Sequence, residues 1–174
     1  MLLKPQDTLI ALAYWSLGRN GAKSNIRDIA DSIGVSAGEV SKGGKRLLQA
    51  RLLVERDGTL HAETGALYEW LGFGIRYAYP QEIISYGRGM ATSWNCPILK
   101  SEMIPPSPGV VWAVPGGKQE GAIISPIHAS VTKVASVDSG LYQVLALVEA
   151  IRGGKPRELA IARDLLKRML KDQT

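Results

Sequence analysis

A basic cluster between positions 42 and 54 is the part of this chain with the clearest capacity for chemistry. It contains no acidic residue, and its cations are Lys42, Lys45, Arg46 and Arg51. Ammonium and guanidinium groups bind phosphate oxygens, and a lysine also donates to the acceptor pair on a guanine edge. The alternative is a solvated helix face, where lysines are common. Which of these applies depends on the elements that carry the cluster.

Two short helices joined by a tight turn are predicted over residues 26–45. The first has the i, i+3, i+4, i+7 spacing of one buried apolar stripe, formed by Ile26, Ile29, Ala30 and Ile33. Gly34 suits a sharp helix exit. Ser36 and Glu39 have the spacing of a capping box, with Val35 and Val40 as the hydrophobic staple around it. The second helix is therefore predicted to begin at Ser36.

Residues after this pair favour a β-hairpin. The strand-like runs 52–55 and 59–61 flank Arg56-Asp57-Gly58, and Asp-Gly is a strong hairpin-turn pattern. The spacing of Ala30, Gly34 and Val40 resembles the helix-turn-helix pattern, and a hairpin directly after it resembles the winged helix arrangement. Residues 7–62 thus resemble bacterial winged helix-turn-helix transcriptional regulators of the MarR/ArsR kind, most closely at Val35-Ser36, Val40-Ser41-Lys42, Leu47 and 52–54.

The resemblance implies that the second helix lies in the major groove of double-stranded DNA. On a helical wheel Val40 and Leu47 point inward and a polar side faces away. The candidate DNA-binding residues are Ser36, Ala37, Gly38, Ser41, Lys42, Lys45, Arg46, Gln49 and Arg56. Ser41, Lys42 and Lys45 suit base edges, whereas Arg46 and Gln49 suit the backbone. Arg56, at the hairpin tip, suits a minor groove or a phosphate.

Gly43-Gly44 departs from the family pattern, which places a leucine or similar core residue here. Two glycines inside a helix cost about 1 kcal/mol each relative to alanine. One interpretation is a close approach of this helix to another helix or to the DNA backbone. The other is a locally weakened helix that packing or binding orders. The sequence leaves both open.

The whole chain is predicted to be α+β and mainly α, in three segments: 1–62, 63–138 and 139–174. A helix over residues 7–17 precedes the helix pair. The middle segment is predicted to hold a helix over 63–76, a helix-free stretch at 104–109, and a second hairpin whose strands are 110–114 and 122–124. Two C-terminal helices, over 141–151 and 157–170, either form a homodimer interface or pack inside one monomer.

Composition excludes several classes of protein. Hydrophobic residues make up 45% and charged residues 21%, as in an ordinary globular protein, and no apolar run reaches membrane-spanning length. A single cysteine excludes an internal disulfide framework, and with no secretory leader we expect a cytoplasmic protein. The net charge of +5 divides as +3 (nine basic, six acidic) over 1–62, −1 (five, six) over 63–138 and +3 (seven, four) over 139–174.

Catalytic patterns are sparse. His61 and His128 are far apart, no Cys/His cluster has zinc spacing, and Cys96 has no histidine nearby. We therefore expect no enzyme, catalytic residue, metal or cofactor. The function expected is a DNA-binding regulator, a homodimer on a palindromic operator. The alternative is a protein-interaction module or antitoxin-like protein whose winged helix and C-terminal segment bind a partner protein. The aromatics Tyr77, Tyr79, Tyr86 and Trp94 offer a further partner surface if they are not core.

Overall fold

Helices form most of the protein. Its structure is a computed structural model that describes residues 2–21 and 23–172. The α+β class and the predominance of helix are as predicted. The helices are α1 (Pro5–Gly18), α2 (Ile26–Ile33), α3 (Ala37–Gln49), α4 (Thr64–Glu69), α5 (Ile75–Ala78), α6 (Pro97–Lys100), α7 (Val131–Val137), α8 (Ser139–Gly153) and α9 (Pro156–Lys171), with a π-helical turn (Trp70–Gly74) joining α4 to α5. The strands are β1 (Leu53–Arg56), β2 (Thr59–Ala62), β3 (Ile83–Thr92), β4 (Val110–Ala113) and β5 (Gln119–Ile124).

The predicted helix pair is confirmed, and so is Ser36 as the N-cap of α3, but the capping box predicted for Ser36 and Glu39 does not form. At the start of α2, Asn25 accepts the N–H of Asp28 at 2.9 Å, and Gly34 ends the helix with φ +65°. Ser36 accepts the N–H of Glu39 at 3.2 Å and so caps α3. The Glu39 carboxylate does not close the box; it accepts instead from the side chain of Gln6 on α1, at 2.6 Å.

The predicted hairpin is also confirmed. β1 and β2 are antiparallel, with Leu53 opposite Ala62 and Arg56 opposite Thr59. Asp57 and Gly58 have φ of 50° and 72°, the two left-handed residues that a type I′ turn requires.

Gly43 and Gly44 allow α3 to lie against its neighbours, and both are buried. A Cβ on Gly43 would be 2.5 Å from Ile10 Cδ1 and 2.9 Å from Asp7 Oδ1, both on α1. A Cβ on Gly44 would be 3.2 Å from Leu60 Cδ1, on β2. Of the two interpretations of this pair, the structure thus supports close approach to neighbouring elements, a helix on one side and the hairpin on the other.

The prediction of a second hairpin is wrong. β4 and β5 do form, but they are parallel to each other and both antiparallel to β3, so the three strands close a small barrel. β4 follows one edge of β3 from Thr92 to Gly89, and β5 then follows the other edge towards Ile83. The crossing is possible because Gly117 lies against Gly89, where a Cβ would collide with backbone. The common partner, β3, is a strand that the sequence pattern does not predict.

The two C-terminal helices pack against other elements of the same chain. Every residue of α8 from Val144 to Arg152 is buried, and α8 packs on α9, α7 and the barrel end of β3. Residues of all three sequence segments share one continuous core. The expected dimerisation element therefore has its apolar faces covered by its own chain. Within the described residues no helix has the length and apolar character to cross a membrane.

Candidate nucleic-acid interface

The outward side of α3 carries most of the predicted contact residues. Exposed there are Ser36, Ala37, Gly38, Lys42, Lys45 and Gln49, and Ser41 is half-buried. The opposite side of the helix is fixed by the buried side chains of Val40 and Leu47 and by the two glycines. The sequence thus places polar and small residues on one accessible side of a helix whose other side is packed.

Arg46 is the correction to this set. Its side chain is only 6% exposed and donates two hydrogen bonds, from Nε and Nη2, to the carboxylate of Asp7 at 2.7 Å each. This hydrogen bonding raises the pKa of Arg46. A guanidinium held in this way is not available to a DNA backbone, so the predicted contact is wrong. The prediction came from the helical wheel, which gives the direction in which a side chain points but not the residue that it contacts.

Arg56 is exposed but lies apart from the α3 lysines. Side chains alternate along a strand, so Arg56 and its neighbour Glu55 lie on different faces of the hairpin. Leu60 pairs with Glu55 and shares its face, so Arg56 lies on the face away from Leu60. Leu60 faces Gly44 on α3, so Arg56 faces away from α3. It forms an exposed ion pair of 3.3 Å with Glu63.

A groove runs between the start of α2, the inner side of α3 and the hairpin. Its larger part is a cleft of about 620 Å³ lined by residues 23–27 and 58–60, together with Tyr14. A smaller cavity of about 190 Å³ continues it towards Ser41 and Lys45, and shares Tyr14, Ile26 and Leu60 with the cleft. The groove therefore connects the α3 surface with the N-terminal end of α2.

Two cations of this groove, Lys23 and Arg27, are absent from the sequence-based set. Both are exposed and line the cleft opposite Gly58–Leu60. Nothing in the local pattern marks them, since their place beside the hairpin depends on how the chain folds back. Together with Lys42 and Lys45 they form a surface that we call the basic face: Lys23, Arg27, Lys42 and Lys45.

One carboxylate, that of Glu39, lies beside the basic face. Glu39 lies 3.4 Å from the ammonium group of Lys42, and hydrogen bonds from Gln6 and Lys42 lower the pKa of Glu39. It is therefore ionised at neutral pH. Lys42 itself is 69% exposed, and an ion pair this open to water is weak, so its ammonium group can leave Glu39 for a stronger anion.

The cysteine and the two histidines, which could also take part in chemistry, are held by contacts within the fold. Burial raises the pKa of the Cys96 thiol to about 11, which keeps it protonated and unreactive at neutral pH. Nε2 of His61 lies 2.9 Å from the hydroxyl of Thr59, and Nδ1 of His128 accepts the N–H of Ser130 at 3.1 Å. In the described part of the chain no three His, Cys, Asp or Glu side chains are grouped so as to hold a metal ion.

The basic face is thus built from two helices and bordered by the hairpin. α3 supplies Lys42 and Lys45, the first turn of α2 supplies Arg27, and the segment just before α2 supplies Lys23. No protein-family model, no curated protein and no solved structure matches this chain.

Proposed function

We propose that the chain binds double-stranded DNA through a winged helix-turn-helix formed by residues 5–62 and acts as a transcriptional regulator. The observation that carries the proposal is the orientation of α3. Its glycine side is packed against α1 and β2, while the side with Lys42 and Lys45 is open to solvent. A helix held in this way, followed by a hairpin, is the arrangement that places one helix in a major groove.

The dimensions of α3 agree with this role. Its 13 residues give a length of about 20 Å at 1.5 Å per residue, and a major groove accepts one α-helix. The first residues, Ser36, Ala37 and Gly38, are small, so the end of the helix can approach the duplex closely. Ser41, Lys42 and Lys45 then lie along the groove, and Gln49 lies at the far end of the helix.

The two cations at and just before the start of α2 bind phosphates beside the groove in this proposal. Lys23 and Arg27 lie on the far side of the cleft from the hairpin, where the backbone of a duplex seated on α3 passes. Phosphate contacts of this kind fix position and orientation rather than sequence. Arg56 reaches DNA only by leaving Glu63, and its contribution is correspondingly smaller.

Salt-dependent binding to a nonspecific duplex tests the proposal. The slope of log affinity against log salt falls by about 0.9 for each phosphate that the protein no longer neutralises. We expect Lys42→Ala/Lys45→Ala to bind more weakly and its salt slope to be shallower by up to about 2. The matched control is Lys167→Ala/Arg168→Ala, which removes two exposed cations from α9. Equal binding by wild type and both variants would refute DNA contact by α3.

A second candidate function is a protein-interaction module, as in an antitoxin that binds its toxin. The observation that favours it is the exposure of large apolar residues outside the winged helix, among them Tyr77 (77%) and Ile104 (85%). Isolation of the nuclease-treated chain from its native cells discriminates the two. A stoichiometric partner protein that remains without DNA supports the second candidate, and none supports the first.

A further inference from the structure

Three aromatic rings follow one another along the segment from α4 to α5. Phe73 is 48% exposed and Tyr77 is 77% exposed. Tyr68 is half-buried, and its ring meets that of Phe73 edge to face, with the two centroids 5.8 Å apart. The π-helical turn explains this contact, because i→i+5 bonding brings residues five positions apart to the same side. Tyr77 follows Phe73 by four residues, about one helical turn further along.

Each of these rings has a cation over it. The distances from the cation to the ring centroid are 5.8 Å for Lys167 over Tyr68, 4.3 Å for Arg163 over Phe73 and 5.7 Å for Arg76 over Tyr77. Arg163 and Lys167 are four positions apart on α9 and so lie on one side of that helix. Arg163 is also fixed in place, because its Nε donates to the carbonyl of Gly72 at 2.7 Å. The segment and α9 thus build one surface, which we call the stacking face: Tyr68, Phe73, Arg76, Tyr77, Arg163 and Lys167.

The elements that carry the stacking face have an excess of positive charge. α4, the π-helical turn, α5 and α9 contain six basic residues and three acidic ones, a net charge of +3. Of the three acids, Glu158 is buried and Asp164 pairs with Arg168, whereas Glu69 is exposed. The charge around the rings therefore favours an anionic partner.

Exposed rings interleaved with cations suit a single-stranded nucleic acid. Its bases stack on aromatic rings and on guanidinium planes, while its phosphates pair with the cations. A duplex keeps its bases inside the stack and cannot use the rings in this way. A protein partner would favour a surface depleted in lysine, and here a lysine stands over one of the rings.

The side chains of the stacking face favour DNA over RNA. None of its six residues has an amide or an aliphatic hydroxyl group, which would bind the 2′-hydroxyl of a ribose. The methyl group of thymine adds an apolar contact that uracil lacks. Rings and cations alone bind a single strand with little regard to its sequence.

We propose that the stacking face binds single-stranded DNA, by base stacking on Phe73 and Tyr77 and by phosphate contacts from Arg76 and Lys167. Tyr77 has the most open ring and stacks on a base directly. At Phe73 the guanidinium of Arg163 covers part of the ring and extends the platform, because a guanidinium plane also stacks on bases. The proposal uses no residue of the basic face and does not depend on the duplex binding proposed above.

Fluorescence anisotropy with a labelled oligothymidine of about 12 nucleotides tests the proposal. Oligothymidine does not pair with itself, so the result is independent of duplex binding by α3. The matched probe is an abasic strand of the same length, which retains the phosphates and lacks the bases. We expect wild type to bind the oligothymidine about tenfold or more tightly than the abasic strand, because stacking contributes only to the first.

Tyr77→Leu and Phe73→Leu/Tyr77→Leu remove the rings and leave apolar side chains in their place. We expect affinity for the oligothymidine to fall about fivefold or more in the first variant and further in the second, with binding of the abasic strand unchanged. Tyr77 is so exposed that its replacement leaves the fold intact. The matched control is Tyr86→Leu, which removes a ring that is 71% exposed on β3 and should bind as wild type does.

Arg76→Ala/Lys167→Ala separates charge from stacking. We expect this variant to bind both strands more weakly, with a salt slope shallower by up to about 1.4, since each phosphate contact on a single strand contributes about 0.7. The control Lys118→Ala/Lys133→Ala removes two exposed cations from outside the stacking face and should retain the wild-type slope.

Three results would each overturn the proposal. One is equal affinity of wild type for the oligothymidine and the abasic strand. Another is wild-type affinity for the oligothymidine in both ring variants, which would leave the stacking face to a protein partner. The third is tighter binding of an oligouridine of the same length, which would assign the face to RNA.

Discussion

The guanidinium of Arg46 on α3 and the carboxylate of Asp7 on α1 form a buried bidentate pair, with both hydrogen bonds at 2.7 Å. Asp7 is 1% exposed and also accepts the backbone N–H of Lys4 at 2.8 Å. The planar fork of an arginine binds a carboxylate in one relative orientation. The pair therefore fixes the rotation of α3 on α1, and with it the side of α3 that faces solvent.

Arg46→Met leaves the Asp7 carboxylate buried without its partner charge. We expect the free energy of unfolding to fall by about 3–5 kcal/mol, as for other broken buried pairs. Asp7→Asn/Arg46→Met removes both charges, and Asn can still accept from Lys4, so it should recover most of that loss. Urea unfolding measures all three proteins.

DNA binding by folded Arg46→Met separates a structural role from a contact. If Arg46 acts only through Asp7, the salt slope of the folded variant equals that of wild type. A slope lower by about 1 would instead assign Arg46 to a phosphate and contradict the buried geometry.

Gly43→Ala tests the close approach of α3 to α1. A Cβ at this position meets Ile10 Cδ1 at 2.5 Å and the Asp7 carboxylate at 2.9 Å. Overpacking of this kind costs about 1–3 kcal/mol, which exceeds the gain of up to about 1 kcal/mol in helix propensity. We expect a net loss of stability in thermal or urea unfolding.

Gly38→Ala is the matched control in the same helix. Nothing lies within 4 Å of a Cβ at Gly38, so the propensity gain is unopposed and the variant should be no less stable than wild type. Destabilisation by both substitutions to the same degree would show that helix packing at Gly43 is not the cause.

The sequence predicted those parts of the fold that are set by local chemistry. The cap at Ser36, the left-handed exit at Gly34 and the Asp57-Gly58 turn each depend on neighbouring residues only. The small barrel could not be predicted, because β4 and β5 take their direction from β3, and the crossing depends on contact between Gly89 and Gly117. α7 was missed as well.

The residues of the candidate site also divide into those that the local sequence places and those that the fold places. Lys42 and Lys45 were predicted because their place on α3 follows from helix periodicity. Arg46 shares that periodicity, but its direction is decided by Asp7, which lies 39 positions earlier. Lys23 and Arg27 belong to the basic face only because the fold brings the hairpin to the same cleft as the start of α2.

Burial of Cys96 makes the free energy of unfolding depend on pH in the alkaline range. Its pKa rises from 9.0 to about 11 in the folded protein, because desolvation penalises the thiolate. The folded state thus retains a proton that the unfolded state loses. This contribution is complete below pH 9, is lost as the pH rises to 11, and amounts to roughly 3 kcal/mol.

Cys96→Ala tests this dependence by difference. Burial, with a smaller contribution from the charge of Cys96, raises the pKa of Tyr142 to about 12, so this tyrosine titrates above the pH range of the comparison. We expect wild type to lose its stability advantage over the variant between pH 9 and 11. A constant difference in unfolding free energy across that range would contradict the assignment.

Lys23→Ala/Arg27→Ala tests whether the groove beside the hairpin belongs to the DNA-binding surface. Both side chains are exposed, so their removal should leave the free energy of unfolding nearly unchanged. If each binds a phosphate, affinity for any duplex falls to a similar extent and the salt slope falls by up to about 2. Filter binding at several salt concentrations measures both quantities.

Comparison with the α3 variant distinguishes phosphate contacts from base contacts. Lys42→Ala/Lys45→Ala removes the same charge from the side of α3, where base edges lie in the proposed complex. Phosphate contacts carry no sequence information, so the α2 variant should retain the wild-type ratio of specific to nonspecific affinity on a selected site, whereas the α3 variant should lower that ratio. An equal decrease of that ratio in both variants would place base contacts at α2 as well. Wild-type affinity in both the α2 variant and the control Lys167→Ala/Arg168→Ala would confine the interface to α3.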